Sequence, residues 1–123
     1  MRLCTMADES TQRRLAAILA ADVAGYSLLV SADEDGTLSA FRAHLQEFIR
    51  PVIIKFHGRL FKTMGDGFLV EFASVIEAVQ CAVAIQQGMK QRNIEVPDDK
   101  RLDFRIGVNL GDVIVQDEDV FGD

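Results

Sequence analysis

Lys62-Thr63-Met64-Gly65-Asp66-Gly67 joins two short segments that favour β-strands, Arg59 to Thr63 and Phe68 to Phe72. An Asp-Gly pair between two such segments is typical of a β-hairpin, because these residues tolerate the backbone angles that a tight turn requires. The stretch therefore predicts a hairpin with the carboxylate of Asp66 at its tip.

A second acidic residue, Asp22, closes an apolar run that begins at Leu15. This run is short and bounded by polar residues, which indicates a buried strand, although its alanines also fit a helix. Gly25 and Ser27 follow, so we expect the chain to turn there.

A long amphipathic helix is predicted to begin after Asp33. Apolar residues recur there at alternating spacings of three and four, namely Leu38, Phe41, Leu45, Phe48, Val52 and Phe56. Pro51 should kink or end this helix, because it lacks the N–H that would bond to Glu47. His57-Gly58 then marks the stop.

A second helix and further strands are predicted after the hairpin. Ser74 and Glu77 have the spacing of a capping box, so a helix should run from there to about Arg92. Leu102 to Val108 alternates apolar with polar or small residues, which is typical of a half-buried strand. Gly111-Asp112 predicts a turn, and another strand should start at Val113.

The predicted order is therefore β-α-β-β-α-β with the start of one more strand. This is the ferredoxin-like arrangement of the α+β class, a palm in which a four-stranded antiparallel sheet carries both helices on one face.

Composition restricts the classes of protein to which the chain can belong. It has 123 residues, a net charge of −6 and two cysteines, Cys4 and Cys81. The length suits one domain. The acidic balance argues against a nucleic-acid partner, and two separated cysteines make neither a disulfide framework nor a zinc site. No run approaches the roughly 18 apolar residues of a membrane span, and the N-terminus lacks the apolar stretch of a signal peptide. We expect a cytoplasmic domain at residues 14–123, without a membrane segment, after a flexible segment at residues 1–13.

The two aspartates are the candidate site. In the predicted topology the strands that carry Asp22 and Asp66 are the central pair, so the carboxylates would lie side by side at one edge of the sheet. Such a pair can hold two divalent ions about 4 Å apart for phosphoryl transfer, and Mg²⁺ favours carboxylates together with phosphate oxygens. Each residue alone has a simpler interpretation, since Asp-Gly is often only a turn and Asp22 could be a helix cap or a solvated side chain.

The turn after Asp22 is a second candidate. Val23, Ala24 and Gly25 could present backbone N–H groups to phosphate oxygens, as anion nests do. Gly25 is equally explained as an ordinary turn glycine.

Four blocks in order resemble the class III adenylate/guanylate cyclase catalytic domain. They are Ala21-Asp22-Val23-Ala24-Gly25-Tyr26-Ser27, Lys62-Thr63-Met64-Gly65-Asp66-Gly67, Arg105-Ile106-Gly107-Val108-Asn109-Leu110-Gly111 and Asp119-Val120-Phe121-Gly122-Asp123. The resemblance covers Arg14 to Asp123 and implies a domain that is incomplete at its C-terminus.

The resemblance also implies roles for individual residues. Asp22 and Asp66 would bind two Mg²⁺ or Mn²⁺ ions, and Lys62 and Asp119 would recognise adenine. The implied activity is conversion of ATP into 3′,5′-cyclic AMP and pyrophosphate by a homodimer with its sites between the subunits. Further catalytic residues of the family follow Asp123, so we expect little or no turnover from the 123-residue chain alone.

Two other functions remain open at this point. One is a non-catalytic cyclase-like module that regulates by dimerisation. The other is a palm-type cyclase that makes a diguanylate, although its signature has a second acidic residue after the hairpin tip, where this chain has Gly67-Phe68.

Overall fold

The computed structural model describes the backbone of residues 12–116 and 119–122 and the side chains of residues 14–112. The strands are β1 (Gln12–Val23), β2 (Arg59–Thr63), β3 (Gly67–Phe72), β4 (Phe104–Gln116) and β5 (Asp119–Gly122). The helices are α1 (Tyr26–Ala32), α2 (Glu34–His44), α3 (Arg50–Lys55) and α4 (Val75–Arg92), with a π-helical turn at Leu45–Ile49 and a 3₁₀ turn at Asp98–Lys100. Of the segment predicted to be flexible, residues 1–11 lie outside the described residues, and the backbone of residues 12 and 13 begins β1.

The strands form one antiparallel sheet in the order β2-β3-β1-β4-β5. β3 and β1 are the central pair of the first four strands, as the ferredoxin-like arrangement requires, so the predicted α+β class is confirmed. β5 adds a further strand beside β4. The end of β1, which carries Asp22, and the tip of the hairpin therefore meet at the middle of the sheet.

The helices cover one face of this sheet. Alternate residues of β1 and β3 point toward them, because successive side chains of a strand lie on opposite faces. They form the core with residues of the helices, namely Leu19, Ala21, Val23, Phe68, Val70, Phe72, Ile49, Ile53 and Ile85. The opposite face carries Asp22, Leu69 and Arg105, and we call it the open face.

The predicted long helix is built differently from the expectation. It continues past Pro51 to Lys55 through the π-helical turn at Leu45–Ile49. This wider turn ends two residues before Pro51, whose missing N–H interrupts the normal helical bonding pattern. The stop is confirmed, because His57 adopts a left-handed φ of 65° and the Gly58 N–H donates to the Ile53 carbonyl at 2.9 Å.

Two predicted turns are corrected. The turn after β1 is confined to Ala24 and Gly25, and Ser27 lies in the additional helix α1. Gly111-Asp112 does not turn, because both residues lie within β4 and pair with Ala16 and Leu15 of β1. The strand pairing with β1 thus overrides the local glycine signal.

The helix predicted from the capping box is confirmed as α4. The Ser74 hydroxyl accepts a hydrogen bond from the Glu77 N–H at 3.2 Å. None of the helices in the described part of the chain combines the length and the apolar composition that crossing a bilayer requires.

Candidate active site

Asp22 and Asp66 are brought together by the pairing of β1 with β3. Asp22 lies opposite Gly67 in this pairing, and the Val23 N–H donates to the Asp66 carbonyl at 2.8 Å. Both aspartates line one cleft of about 450 Å³ at the ends of the central strands. The structure therefore places the two predicted carboxylates at a single site on the sheet edge.

Gly67 makes this close approach sterically feasible. A Cβ atom at this position would clash with the carbonyl oxygen of Ala21 and lie 3.1 Å from the Cα of Asp22. The absence of a side chain therefore lets the hairpin tip reach the end of β1, which sets the position of Asp66 beside Asp22.

Sequence reasoning missed a third charged residue at the cleft, Arg105. It lies directly opposite Asp22 in the pairing of β1 with β4. Its Nε donates to Asp22 Oδ1 at 2.9 Å, and its Nη2 donates to Asp22 Oδ2 at 3.2 Å. Hydrogen bonding to Asp22 and the charge of Asp22 raise the pKa of Arg105, and the charge of Asp66 adds to the rise. Arg105 begins the third of the four blocks that resemble the cyclase family, but only the strand register shows which residue it faces.

Lys62 lies on the same hairpin as Asp66 but is not among the side chains that line the cleft. It is exposed and pairs with Leu69 across β2 and β3, after a register shift between Leu60 and Lys62. Paired residues share a face of the sheet, so Lys62 lies on the open face. The backbone of Asp119 begins β5 opposite Gln116, and its side chain lies outside the described residues.

The family model of the adenylate and guanylate cyclase catalytic domain matches residues 9–119. The chain belongs to this family. Two relatives agree with this assignment. The chain is 51% identical over 118 residues to the Rhizobium meliloti (strain 1021) protein named "Putative adenylate cyclase 3", a match that covers 96% of the chain and 20% of that protein. It is 44% identical to the solved adenylate/guanylate cyclase/hydrolase of Silicibacter pomeroyi, with a TM-score of 0.82.

The cyclase domain described here spans only part of these relatives. It covers a fifth of the Rhizobium protein, and the Silicibacter comparison covers 92% of this chain and 66% of the solved chain. The guanylyl cyclase Cya2 is 23% identical with a TM-score of 0.75, covering 93% of this chain and 64% of the solved chain, and shares the fold.

The turn after Asp22 is largely engaged within the cyclase domain itself. The Val23 N–H donates to Asp66, and the Ala24 N–H donates to the Asp103 carbonyl at 2.8 Å. These two amides therefore have partners within the domain, and phosphate binding by Val23, Ala24 and Gly25 stays a prediction. Gly25 has a left-handed φ of 67°, which a glycine adopts without strain.

Asp22 and Asp66 fit a divalent cation by their chemistry and placement. Both are carboxylates at one cleft, and the Asp22 side chain is 44% exposed, so its oxygens are accessible from solvent. The described residues include no group of three or more His, Cys, Asp or Glu side chains placed to hold a metal. Two carboxylates with further ligands from a bound phosphate are what Mg²⁺ commonly takes.

Proposed function

We propose that this domain is the N-terminal part of an adenylate cyclase catalytic domain, which converts ATP into 3′,5′-cyclic AMP and pyrophosphate. The observation that carries the proposal is that Asp22 and Asp66, delivered by neighbouring strands, line one cleft. Membership of the cyclase family and the 51% identity to the Rhizobium protein favour the same chemistry.

Asp22 and Asp66 are the residues that would hold two Mg²⁺ or Mn²⁺ ions. When bound, such ions lower the pKa of the attacking hydroxyl and neutralise charge on the triphosphate. In the reaction, the ribose 3′-hydroxyl loses its proton to solvent and its oxygen forms a bond to the α-phosphorus, while the bond from that phosphorus to the bridging oxygen breaks and pyrophosphate leaves. The contribution of the domain is to position these groups in line.

Lys62 and Asp119 would provide the preference for adenine. A lysine donates to adenine N1, and an aspartate accepts from the N6 amino group. Guanine presents a donor at N1 and an acceptor at O6, so both contacts would be mismatched. A site built for one hydrogen-bonding edge discriminates because the wrong base leaves polar groups unpaired.

A homodimer is part of this proposal. Lys62 shares a hairpin with Asp66 but does not line the same cleft, which suits a lysine that serves the site of the second subunit. The open face carries the cleft and is not covered by the described helices, so it is the face on which a second subunit would complete the site. We expect little or no turnover from the 123-residue chain alone, which spans 66% of the solved Silicibacter chain.

The proposal is tested by Mn²⁺-dependent binding of ATP and GTP, measured by calorimetry. We expect ATP to bind more tightly than GTP, and Asp22→Asn and Asp66→Asn each to abolish the dependence on Mn²⁺. Asp35→Asn on α2 removes the same charge at an exposed position and should change nothing. A non-catalytic module would show no Mn²⁺-dependent binding to lose, and that result would contradict the proposal.

A further inference from the structure

Arg105 uses both carboxylate oxygens of Asp22. The two hydrogen bonds, 2.9 Å and 3.2 Å long, form the paired geometry in which a planar guanidinium binds a carboxylate. This arrangement leaves neither oxygen of Asp22 without a positively charged neighbour. A cation that binds through Asp22 must therefore share these oxygens with Arg105 or displace it.

Arg105 is also the only basic residue among the described side chains that line the cleft. It interacts electrostatically with Asp66 as well as with Asp22. Two carboxylates at one cleft repel each other, and the positive charge of Arg105, held beside Asp22 on the β4 side of β1, offsets that repulsion. Arg105 thus supplies, in the absence of metal, part of the positive charge that the two aspartates require.

The ion pair between Arg105 and Asp22 is weak enough for another cation to replace the guanidinium. The side chains of Arg105 and Asp22 are 70% and 44% exposed, and exposed ion pairs contribute little net free energy. The backbone at this point is held independently by the pairing of β1 with β3 and β4. Breaking the pair therefore requires only side-chain rotation.

We propose that Arg105 is a positioning residue that holds Asp22 until a divalent cation displaces it. The metal and the guanidinium compete for the same two oxygens, so metal binding is coupled to release of Arg105. This inference rests on the proposed function, because it takes Asp22 as a metal ligand.

The first test measures the affinity for Mn²⁺ alone, from the paramagnetic resonance signal of the free ion. Arg105→Gln should lower the Kd for Mn²⁺ roughly threefold to fivefold, since the competing group is an exposed ion pair. Arg105→Lys should fall between this variant and the wild type, because an ammonium cannot make two parallel bonds. Arg50→Gln, on α3, makes the same charge change at an exposed position in the helical layer and should leave the Kd unchanged.

A second test follows the Arg105 Nε–H by nitrogen-15 NMR. Addition of the diamagnetic Mg²⁺ should shift this signal toward that of a solvated guanidinium, and Asp22→Asn should produce the shift without metal. A merely structural role would leave the signal unmoved while metal binds. Thermal unfolding of each variant confirms that the fold is retained.

The outcomes separate this inference from the proposed function. If the wild type binds Mn²⁺ and Arg105→Gln binds it no more tightly, the competition is disproved and the metal site stands. If only Arg105→Gln binds Mn²⁺, the competition is supported in its strongest form. If neither binds Mn²⁺, the two-metal function and the role of Arg105 are overturned together.

Discussion

Gly67 lies directly against the backbone carbonyl of Ala21, with no space for a side chain between them. This contact sets how closely the hairpin tip approaches the end of β1. A Gly67→Ala substitution forces β1 and β3 apart, and overpacking of this kind typically costs about 1–3 kcal/mol. We expect urea unfolding to show that loss, and Mn²⁺ binding to weaken because Asp66 moves away from Asp22.

Gly65 provides a matched control on the same hairpin. A Cβ atom at Gly65 would meet no heavy atom within 4 Å, and its φ is not in the left-handed region. Gly65→Ala should therefore leave the free energy of unfolding within about 0.5 kcal/mol of the wild type. Equal losses for the two variants would show that flexibility of the turn, rather than the contact with Ala21, limits stability.

Local signals explain what the sequence predicted correctly. Asp66-Gly67 specified a hairpin, and Ser74 specified the start of α4, because a turn and a helix cap are made by residues close together in the chain. These two elements, the apolar run of β1 and the alternation of β4 were sufficient to place Asp22 beside Asp66 through the topology.

Contacts between distant residues explain what the sequence did not predict. Gly111-Asp112 is a pair of residues typical of turns, but Gly111 pairs with Ala16 of β1 and is part of β4. Arg105 faces Asp22 only because β1 and β4 pair in one particular register, which a single sequence does not reveal. The helix α1 was missed because Tyr26–Ala32 is too short to show a helical period.

The thiol of Cys81 should be unreactive in the folded domain. Its side chain is fully buried on the core-facing side of α4, and burial raises the pKa of this thiol to about 11. Since the thiolate is the reactive species, we expect no labelling by a disulfide reagent at pH 8 until urea unfolds the chain. The assay uses a Cys4→Ala chain, so that Cys81 is the single thiol that can react. Rapid labelling without urea would contradict the buried position.

Stability should fall as the pH drops below 6.5 because of His44. Burial lowers the pKa of this imidazole in the folded state, the charge of Arg92 lowers it further, and Glu47 opposes both. In addition, Nδ1 accepts a hydrogen bond from the Arg92 Nε at 2.9 Å, which a protonated Nδ1 cannot do. The folded domain therefore favours the neutral imidazole.

The sign of the effect follows from proton linkage. The unfolded chain binds a proton at about pH 6.5, whereas the folded chain binds it only at lower pH. The contribution of His44 to the free energy of unfolding should be constant above pH 6.5. It should decrease as the pH falls from 6.5 to the lowered pKa of the folded state. Urea unfolding from pH 7.5 to 5 measures the trend, and His44→Gln should remove the part that belongs to this residue. An identical pH profile for the variant would assign the trend to other groups.

Lys62 should control the choice between ATP and GTP without being required for metal binding. Its ammonium would donate to adenine N1, where guanine carries a competing N–H. Lys62→Ala should therefore weaken Mn²⁺-dependent ATP binding by roughly tenfold, the usual scale for a hydrogen bond to a charged group, and leave the Kd for Mn²⁺ alone unchanged. Lys90→Ala, an exposed lysine on α4, serves as the control. An equal loss for ATP and GTP would place Lys62 at the phosphates rather than at the base, because both nucleotides carry the same triphosphate.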